Sequence, residues 1–326
     1  MTDEQLFENR IDLSEVSKAV HDIRQQIEKV IVGQRLMVDL LMIGLLCDGH
    51  ILIEGVPGVA KTLTAKLLAK IVDVKFTRIQ FTPDLMPSDV IGTTVFNPRQ
   101  GDFQFKPGPI FSNIVLIDEI NRAPAKTQSA LFEVMEEKQI TIDGVTHPLD
   151  FPFVVLATQN PIEQEGTYRL PEAQLDRFLF KINVNYPTLQ EEILILNAQH
   201  TQSQNALIGQ VDKVLSAEQI AAFRQTILSI MIEPNLIEFI AKIVNETRNN
   251  ASLYLGASPR ASLAIMRASK ANAGLKGRDF VTPDDIIEMA APVMRHRIIL
   301  TPEKEMEGLT PDEQIESIIS KIDVPR

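Results

Sequence analysis

The first half of the chain alternates between strand-like and helix-like patterns of apolar residues. Helical spacing predicts helices over residues 14–30, 36–47, 62–71 and 125–137, and short apolar runs predict strands over 51–54, 76–81, 114–117 and 153–157. The run 114–117 is unbroken and mostly β-branched, which is typical of a strand covered on both faces. Strands that alternate with helices predict a parallel sheet between two helical layers, an α/β core.

Two further segments carry the pattern of β-hairpins. In the first, strand-like residues near Val95 and Phe105 flank the polar tip 97–102, and in the second Asp143-Gly144 lies between alternating residues. Asp-Gly is among the strongest signals for a two-residue turn. The hairpins either decorate the edge of the sheet or form moving parts near a substrate or a neighbouring subunit, and the sequence favours neither interpretation.

Beyond about residue 188 the strand patterns end and helical patterns follow. Helices are predicted over 191–199, 217–229, 236–247, 260–273 and 284–294, with a polar linker over 201–212. Pro259 and Pro283 stand where two of these helices begin, a position that tolerates the missing N–H of proline. The chain is therefore predicted to contain an α/β core, residues 1–187, and an all-helical domain, residues 188–326.

A glycine-containing loop, Gly55-Val56-Pro57-Gly58-Val59-Ala60-Lys61-Thr62, joins the first strand to the helix that continues from Leu63. Glycines let successive backbone N–H groups converge on phosphate oxygens, and the helix N-terminus attracts negative charge. Lys61 is expected to reach the β- and γ-phosphates of a nucleotide, and the Thr62 hydroxyl to hold Mg²⁺. Ala60 replaces the glycine of the usual pattern, so its backbone is expected at negative φ. The alternative is an ordinary strand, turn and helix.

Polar residues follow two strands at the edge where ligands bind in parallel sheets. Asp118 and Glu119 follow the run 114–117. Asp118 is expected to contact Mg²⁺ through water, and Glu119 to polarise the water that attacks the γ-phosphate. Asn160 follows a second strand, and its amide would orient that water or sense the γ-phosphate. The alternatives are that the carboxylates cap a helix and that Asn160, which precedes Pro161, forms a turn.

Composition narrows the classes of function. The 326 residues carry a net charge of −11 and contain no tryptophan, which argues against a nucleic-acid footprint or a base-stacking platform. The single cysteine, Cys47, excludes an intrachain disulfide and lies in an apolar stretch, where a buried thiol is expected rather than a nucleophile. The histidines are scattered, so no transition-metal site is expected. Without a signal-like or membrane-spanning segment, the protein is expected to be soluble and cytoplasmic.

Six segments, taken together, resemble the MoxR family of AAA+ ATPases over almost the whole chain. They are Ile31-Val32-Gly33-Gln34, the loop from Gly55 to Thr62, Leu116-Ile117-Asp118-Glu119-Ile120-Asn121-Arg122-Ala123-Pro124, Ala157-Thr158-Gln159-Asn160-Pro161, Leu170-Pro171-Glu172-Ala173-Gln174-Leu175-Asp176-Arg177-Phe178 and Gly256-Ala257-Ser258-Pro259-Arg260. The resemblance implies a RecA-like three-layer αβα core with β-hairpin inserts, followed by a helical lid. It further implies ATP or ADP with Mg²⁺ between core and lid, and a homo-oligomeric ring, commonly a hexamer, that completes each site.

The resemblance also implies roles for individual residues. Asn160 matches the sensor 1 residue, Arg260 the sensor 2 residue, and Arg177 the arginine finger supplied to the γ-phosphate of a neighbouring subunit. Arg169 stands where the family is expected to have proline, which makes it a second candidate for the finger. Ala60 is an accepted variant in the family. The expected catalytic residues are Lys61, Asp118, Glu119, Asn160, Arg177 and Arg260, and the expected nucleotide-binding residues are Val32, Gly33 and Gln34 near the adenine with Gly55, Val56, Pro57, Gly58, Val59, Ala60, Lys61, Thr62 and Leu63 around the phosphates.

The preferred functional hypothesis is a chaperone-like ATPase that remodels or matures a protein client. The resemblance suggests a protein with a von Willebrand factor A domain as a partner. The alternatives are a nucleic-acid-stimulated motor, which the acidic balance of the chain disfavours, a magnesium-chelatase-type ATPase subunit, and a nucleotide-dependent assembly protein with little turnover.

Overall fold

A parallel β-sheet forms the centre of the molecule, which is described by a computed structural model for residues 11–56, 58–160, 166–201 and 203–325. The strands are β1 (His50–Gly55), β2 (Phe76–Gln80), β3 (Gly92–Asn97), β4 (Asp102–Pro107), β5 (Ile114–Asp118), β6 (Gln139–Ile142), β7 (Val145–Pro148), β8 (Val154–Gln159), β9 (Phe178–Val184), β10 (Leu253–Leu255) and β11 (Ile299–Leu300). Five of them form the sheet in the order β2-β5-β8-β1-β9, and each neighbouring pair is parallel.

Helices cover both faces of this sheet and make up most of the second half of the chain. They are α1 (Ser14–Glu28), α2 (Arg35–Leu46), α3 (Lys61–Ile71), α4 (Pro87–Ile91), α5 (Ala125–Glu137), α6 (Glu172–Leu175), α7 (Leu189–Thr201), α8 (Gln204–Gly209), α9 (Ala217–Ser229), α10 (Pro234–Arg248), α11 (Pro259–Leu275), α12 (Pro283–Met294), α13 (Pro302–Met306) and α14 (Pro311–Ile319).

The strands bury apolar side chains on both faces of the sheet. In β1, Ile51 and Ile53 pack into the cluster that contains α1, α2 and α3, whereas Leu52 packs into the cluster that contains α5. Alternate residues of β5 divide between the same two clusters, and Ile114 to Ile117 are all fully buried. Side chains alternate across a strand, so a strand between two helical layers must be apolar throughout. The predicted three-layer α/β core is confirmed.

Both predicted hairpins are present. Strands β3 and β4 pair from Gly92↔Pro107 to Asn97↔Asp102, and the rings of Phe96 and Phe103 meet near the tip with centroids 5.2 Å apart. Strands β6 and β7 are joined by Asp143 and Gly144, at φ 52° and 78°. Positive φ at both turn positions matches the right-handed twist of the flanking strands, which explains the Asp-Gly pair.

The helices after β9 share a core with the sheet. Their buried residues, such as Phe239, Ile265 and Val293, belong to the same apolar cluster as α1, α2 and one face of β1. Pro259 and Pro283 are the first residues of α11 and α12, as predicted. The division at residues 187 and 188 stays a prediction, since a continuous cluster crosses it.

Several elements were not predicted, among them the helices α4, α6, α13 and α14. Strand β9 follows Arg177 directly and pairs with β1 at the edge of the sheet. Helix α8 lies within the segment predicted to be a polar linker, and the short pair β10–β11 lies among the helices. Within the part of the chain that the structure describes, no helix is both long enough and apolar enough to span a membrane.

Candidate functional site

The loop between β1 and α3 turns through left-handed backbone. Gly58 has φ 88° with open space where a Cβ would lie, and Ala60 has φ 60° and ψ 17°. The expectation of negative φ at Ala60 was therefore wrong. The carbonyl of Ala60 accepts bonds from the N–H and the hydroxyl of Thr64 at 2.9 and 3.0 Å, which closes the first turn of α3. The bonds that start the helix offset the strain of left-handed backbone at an alanine, which costs roughly 1–2 kcal/mol.

Lys61 is the first residue of α3 and folds back over the loop. Its Nζ donates to the carbonyl oxygen of Gly55 at 2.5 Å. Burial lowers the pKa of the Lys61 ammonium, while the nearby carboxylates of Asp118, Glu119 and Glu54 act in the opposite direction. The ammonium thus lies in the field of the acidic residues at the same edge of the sheet. Pro57 lies outside the described residues.

Asp118, the last residue of β5, is held by two neighbours. It is only 7% exposed, and its Oδ2 accepts from Arg78 Nε at 2.5 Å while its Oδ1 accepts from Thr158 Oγ1 at 3.1 Å. The Thr158 hydroxyl in turn accepts from the backbone N–H of Glu119 at 3.1 Å. These contacts fix the carboxylate at the carboxyl end of the sheet, where parallel sheets bind their ligands.

Glu119 leaves the strand in left-handed backbone, at φ 56°. Its Oε2 accepts from Gln80 Nε2 at 2.7 Å and pairs with Arg122 Nε at 3.0 Å. No side-chain cap bond is made to the following 3₁₀ turn or to α5. The alternative in which the carboxylates cap a helix is therefore wrong. Arg122 pairs with Glu119 of its own chain.

Sequence reasoning did not assign Arg78, Gln80 and Thr158 to the site. Side chains alternate along β2, which places Arg78 and Gln80 on one side of the strand, and this alternation could have indicated both residues from the sequence. The register pairs Arg78 with Leu116 and Gln80 with Asp118, so both reach the end of β5. Thr158 could be found only from the order of the strands, because β8 lies next to β5.

The metal-binding prediction fits the donors at this edge. The Thr62 hydroxyl lies in the first turn of α3, and the Asp118 carboxylate lies at the end of β5, so two oxygen groups of the kind that Mg²⁺ prefers share one edge of the sheet. Asn160 follows the last residue of β8, the strand adjacent to β5, and so lies at the same edge. The phosphate loop, the two carboxylates and the amide therefore lie at one edge of the sheet, while their roles stay predictions.

An apolar cavity of about 170 Å³ adjoins the loop. Its walls include half of the predicted nucleotide-binding residues, and the helical part closes it with Ile195 and Ala198 of α7. Gly33, at φ 70°, packs so closely on α7 that an added Cβ would overlap the Glu191 carboxylate. The predicted binding residues in the wall are Val32, Gln34, Gly58, Val59, Ala60 and Leu63.

Gly55 and Val56 border a different opening, beside the end of β9. An added Cβ on Gly55 would lie 2.6 Å from the carbonyl oxygen of Val184, so the glycine permits close packing of β1 against β9. Gly55 was predicted to bind nucleotide, and the structure gives it two contacts of its own: it allows the close packing on β9, and its carbonyl oxygen accepts the bond from Lys61.

Arg177 and Arg260 lie at the opposite edge of the sheet from Lys61. Arg177 precedes β9, whose first residue pairs with His50 at the start of β1, whereas Lys61 follows the end of β1. The two edges are separated by the length of a strand, about 17 Å. Neither arginine can therefore meet the phosphate loop of its own chain in this arrangement.

The two arginines line one cavity of about 300 Å³, together with Glu136, Asp176 and Arg267. Arg177 donates from Nη1 to the carbonyl oxygen of Phe132 at 2.5 Å. Arg169 is exposed and lies in a segment bonded at the Tyr168 N–H to the carbonyl oxygen of Asn121, 2.6 Å away. Arg169 therefore does not belong to the Arg177 and Arg260 pair.

Cys47 borders the same cavity. Burial raises the pKa of its thiol to about 12, and Sγ lies 3.4 Å from the carbonyl oxygen of Arg267. The thiolate is the nucleophilic form, so this cysteine is a packing residue at neutral pH, as predicted.

A phosphate loop after the first core strand, an acidic strand that ends at the same edge of the sheet and a helical lid define an AAA+ ATPase. Comparison with family models agrees, since residues 50–180 match the ATPase family associated with various cellular activities and residues 245–318 match the AAA lid domain. The chain belongs to the MoxR family of these ATPases, which confirms the resemblance seen in the sequence.

Relatives of known sequence and structure support this placement. The chain is 42% identical to Chaperone MoxR1 of Mycobacterium tuberculosis, over 92% of this chain and 81% of that protein. It is 46% identical to Uncharacterized protein YeaC of Bacillus subtilis, over 92% and 93% of the two chains, and 30% identical to Protein MoxR of Paracoccus denitrificans, over 96% and 98%. A crystal structure of a Cytophaga hutchinsonii protein described as an ATPase superposes with a TM-score of 0.88 at 45% identity, covering 95% and 96% of the two chains.

Proposed function

We propose that this protein hydrolyses ATP with Mg²⁺ at sites completed by neighbouring copies in a ring, commonly a hexamer, and that it uses this cycle to remodel or mature a protein client. The observation that carries the proposal is the position of Arg177 and Arg260. They lie together at the edge of the sheet opposite Lys61. A residue pair that cannot serve its own phosphate loop suits the loop of an adjacent subunit.

Within one chain, the phosphate loop and α3 bind the triphosphate. The N-terminus of α3 attracts the phosphate charge, and Lys61 exchanges its bond to Gly55 for one to the β- and γ-phosphates. Thr62 would hold the metal through its hydroxyl, and Asp118 would hold it through water. Bound Mg²⁺ supplies neutralisation of the charge that develops on the phosphates.

Glu119 orients and polarises the attacking water in this proposal. Its carboxylate is already held by Gln80 and Arg122. Asn160, at the end of the adjacent strand, would hold the same water or sense the γ-phosphate. The base, the amide, the metal ligands and Lys61 belong to one chain, whereas the two arginines that contact the γ-phosphate come from the next.

A planar guanidinium suits this last role because it presents several N–H donors to oxygens that share the charge of the transition state. Arg177 is the proposed finger, and Arg260 acts beside it on the same γ-phosphate. The proposal thus assigns both arginines to a neighbouring copy's nucleotide, and it leaves Arg169 outside the catalytic groups.

The proposal of a protein client and an adaptor rests on similarity to relatives and not on the geometry of this site. One relative is named a chaperone, and the resemblance to the family suggests a von Willebrand factor A domain protein as partner. The exposed rings of Phe96 and Phe103 on the first hairpin offer an apolar contact for a protein. The proposal places the protein in the cytoplasm.

Mixing two inactive variants tests the shared site. Lys61→Ala subunits keep Arg177 but bind no nucleotide, and Arg177→Ala subunits bind nucleotide but offer no finger. We expect each variant alone to be nearly inactive and their mixture to regain ATP hydrolysis, because some Arg177→Ala sites then face an intact finger. A mixture that assembles, as judged by size-exclusion chromatography, yet stays inactive would contradict a shared site.

A separate experiment identifies the client. Glu119→Gln subunits should retain ATP, and therefore the client-bound state, so proteins retained on this variant and absent from Lys61→Ala subunits are the candidates. Steady-state hydrolysis of the unaltered protein distinguishes an ATPase from an assembly protein with little turnover. Stimulation by DNA at physiological salt would favour the nucleic-acid motor instead.

A further inference from the structure

One carboxylate joins Arg177 to Arg260. Glu136, near the C-terminal end of α5, pairs through Oε2 with Nη2 of Arg177 at 2.7 Å and through Oε1 with Nη2 of Arg260 at 3.0 Å. Each oxygen thus serves one guanidinium. Two cations held side by side repel each other, and a carboxylate between them offsets that repulsion.

Asp176 connects the backbone segments that carry the two arginines. Its Oδ1 accepts from Arg297 Nε at 2.7 Å, and its Oδ2 accepts from Ser258 Oγ at 2.9 Å. Ser258 caps α11, because its hydroxyl also accepts from the backbone N–H of Arg260 at 3.2 Å. The residue before Arg177 and the cap before Arg260 are therefore tied together, which leaves the long side chains as the part still to be oriented.

We propose that Glu136 is a positioning residue that holds Arg177 and Arg260 as one unit, ready for the triphosphate of a neighbouring copy. The inference rests on the proposed function, since it requires that both arginines act on another subunit's nucleotide. Each guanidinium has five N–H donors and gives Glu136 only one pairing nitrogen, so donors remain for phosphate oxygens.

These ion pairs contribute little to the stability of the fold. The side chains of Glu136, Arg177 and Arg260 are 40%, 30% and 54% exposed. Partly exposed pairs on long side chains are weakened by water and by the entropy lost in ordering them. Replacement of Glu136 should therefore leave the thermal midpoint almost unchanged, and its effect on hydrolysis can be measured without unfolding.

The test places the substitution only in the subunit that donates the arginines. Donor subunits carry Lys61→Ala with Glu136→Gln, and acceptor subunits carry Arg177→Ala. The donors bind no nucleotide, so all hydrolysis occurs at acceptor sites. Glu137→Gln in the same donor background is the matched control, because Glu137 is the next residue of α5 and its carboxylate pairs with no cation among the described residues.

Glutamine replaces one carboxylate oxygen with an NH₂ donor and can therefore hold only one of the two guanidiniums. We expect kcat of the mixture to fall about tenfold with little change in KM, since misplaced catalytic groups weaken interactions made in the transition state. Glu136→Asp keeps both oxygens on a shorter side chain and should restore part of the loss. The Glu137→Gln donors should match the parent mixture.

The possible results separate this inference from the proposed function. An inactive mixture of Lys61→Ala and Arg177→Ala subunits overturns the shared site itself. An active mixture with unchanged hydrolysis when the donors carry Glu136→Gln overturns only the role of Glu136. Faster hydrolysis with those donors also overturns it, because Glu136 would then compete with the phosphate for the arginines.

Discussion

Gln80 donates a hydrogen bond to Glu119 across the boundary between β2 and β5, with Nε2 and Oε2 2.7 Å apart. This bond sets the direction of the carboxylate that polarises the attacking water in the proposed function. We predict that Gln80→Leu lowers kcat about tenfold, less than the roughly 10²–10⁴ lost with a general base itself, because Glu119 is still present, and that it leaves ATP affinity unchanged. Steady-state kinetics would check this, with Gln139→Leu on β6 as the control. A variant with normal kcat would show that Glu119 needs no partner on β2.

Lys61 and Glu119 should give opposite results when each is removed. Lys61→Ala should abolish nucleotide binding, because the phosphates lose the loop cation. Glu119→Gln should keep binding and lower hydrolysis by roughly 10²–10⁴, the usual contribution of a general base. Titration with a fluorescent ATP analogue distinguishes them. Tight binding by the lysine variant would contradict the assignment of the phosphate loop.

Arg177→Ala should leave ATP binding nearly intact and lower hydrolysis by about 10³–10⁵, as in nucleotide hydrolases that lose an arginine finger. Arg169→Ala is the matched control, since Arg169 lies apart from the Arg177 and Arg260 pair. Comparison of single-turnover rates at saturating ATP would check both variants. Should the Arg169 variant lose hydrolysis while the Arg177 variant keeps it, the finger has been assigned to the wrong arginine.

Ala60→Gly should stabilise the protein slightly. The left-handed backbone at φ 60° costs alanine roughly 1–2 kcal/mol, while glycine loses about 0.4–1 kcal/mol through the entropy of its unfolded state. The expected net gain is up to about 1.6 kcal/mol in the free energy of unfolding, measurable by urea denaturation without nucleotide. Destabilisation by a similar amount would indicate that Ala60 has negative φ after all.

Asp285, fully buried in α12, should make stability depend on pH. Burial alone would raise the pKa of Asp285, but hydrogen bonds and charge from Arg278 and the bonds from Thr282 outweigh it and lower the pKa. A lowered pKa contributes stability above the ordinary aspartate value, about 4, and that stability is lost as pH falls through the value in the folded protein.

Asp285→Asn should therefore cost about 3–5 kcal/mol at neutral pH, because it removes the buried negative charge and one of the two acceptor oxygens that Arg278 contacts at 2.7 and 2.6 Å. The loss should shrink below pH 4. Urea titrations at several pH values would check this, with the exposed neighbour Asp284→Asn as control. A pH-independent difference would mean that Asp285 keeps its ordinary pKa.

The chemistry carried by continuous segments could be predicted from the sequence. The phosphate loop, Asp118, Glu119 and Asn160 each follow a strand that its apolar run identifies, and parallel strands bring their ends to one edge. Strand β9 was missed although Phe178, Phe180 and Ile182 alternate with less buried residues. The motif from Leu170 to Phe178 overlaps the first residue of this strand, and Phe178 was assigned to the motif and not to a strand.

Contacts between distant segments could not be predicted in this way. Glu136 meets Arg177 and Arg260 only because α5, β9 and α11 pack together, and nothing in the spacing of these residues along the chain indicates it. The left-handed backbone at Ala60 was likewise hidden, because the residue type predicts the opposite sign of φ. In both cases the packed structure overrides a local preference.

The apolar cluster that runs without interruption from the sheet into α9, α10, α11 and α12 limits how the molecule can move. A rigid swing of these helices away from the sheet would expose buried side chains such as Ile265 and Val293 to water, at a cost of about 25 cal/mol for each Å² of apolar surface. In helix α7, Leu189 and Leu196 are already 75% and 65% exposed, so movement of this helix adds little to the apolar surface that these two side chains expose to water. For the proposed nucleotide site, we therefore expect exchange through a local hinge at α7, while helices α9 to α12 stay packed on the sheet.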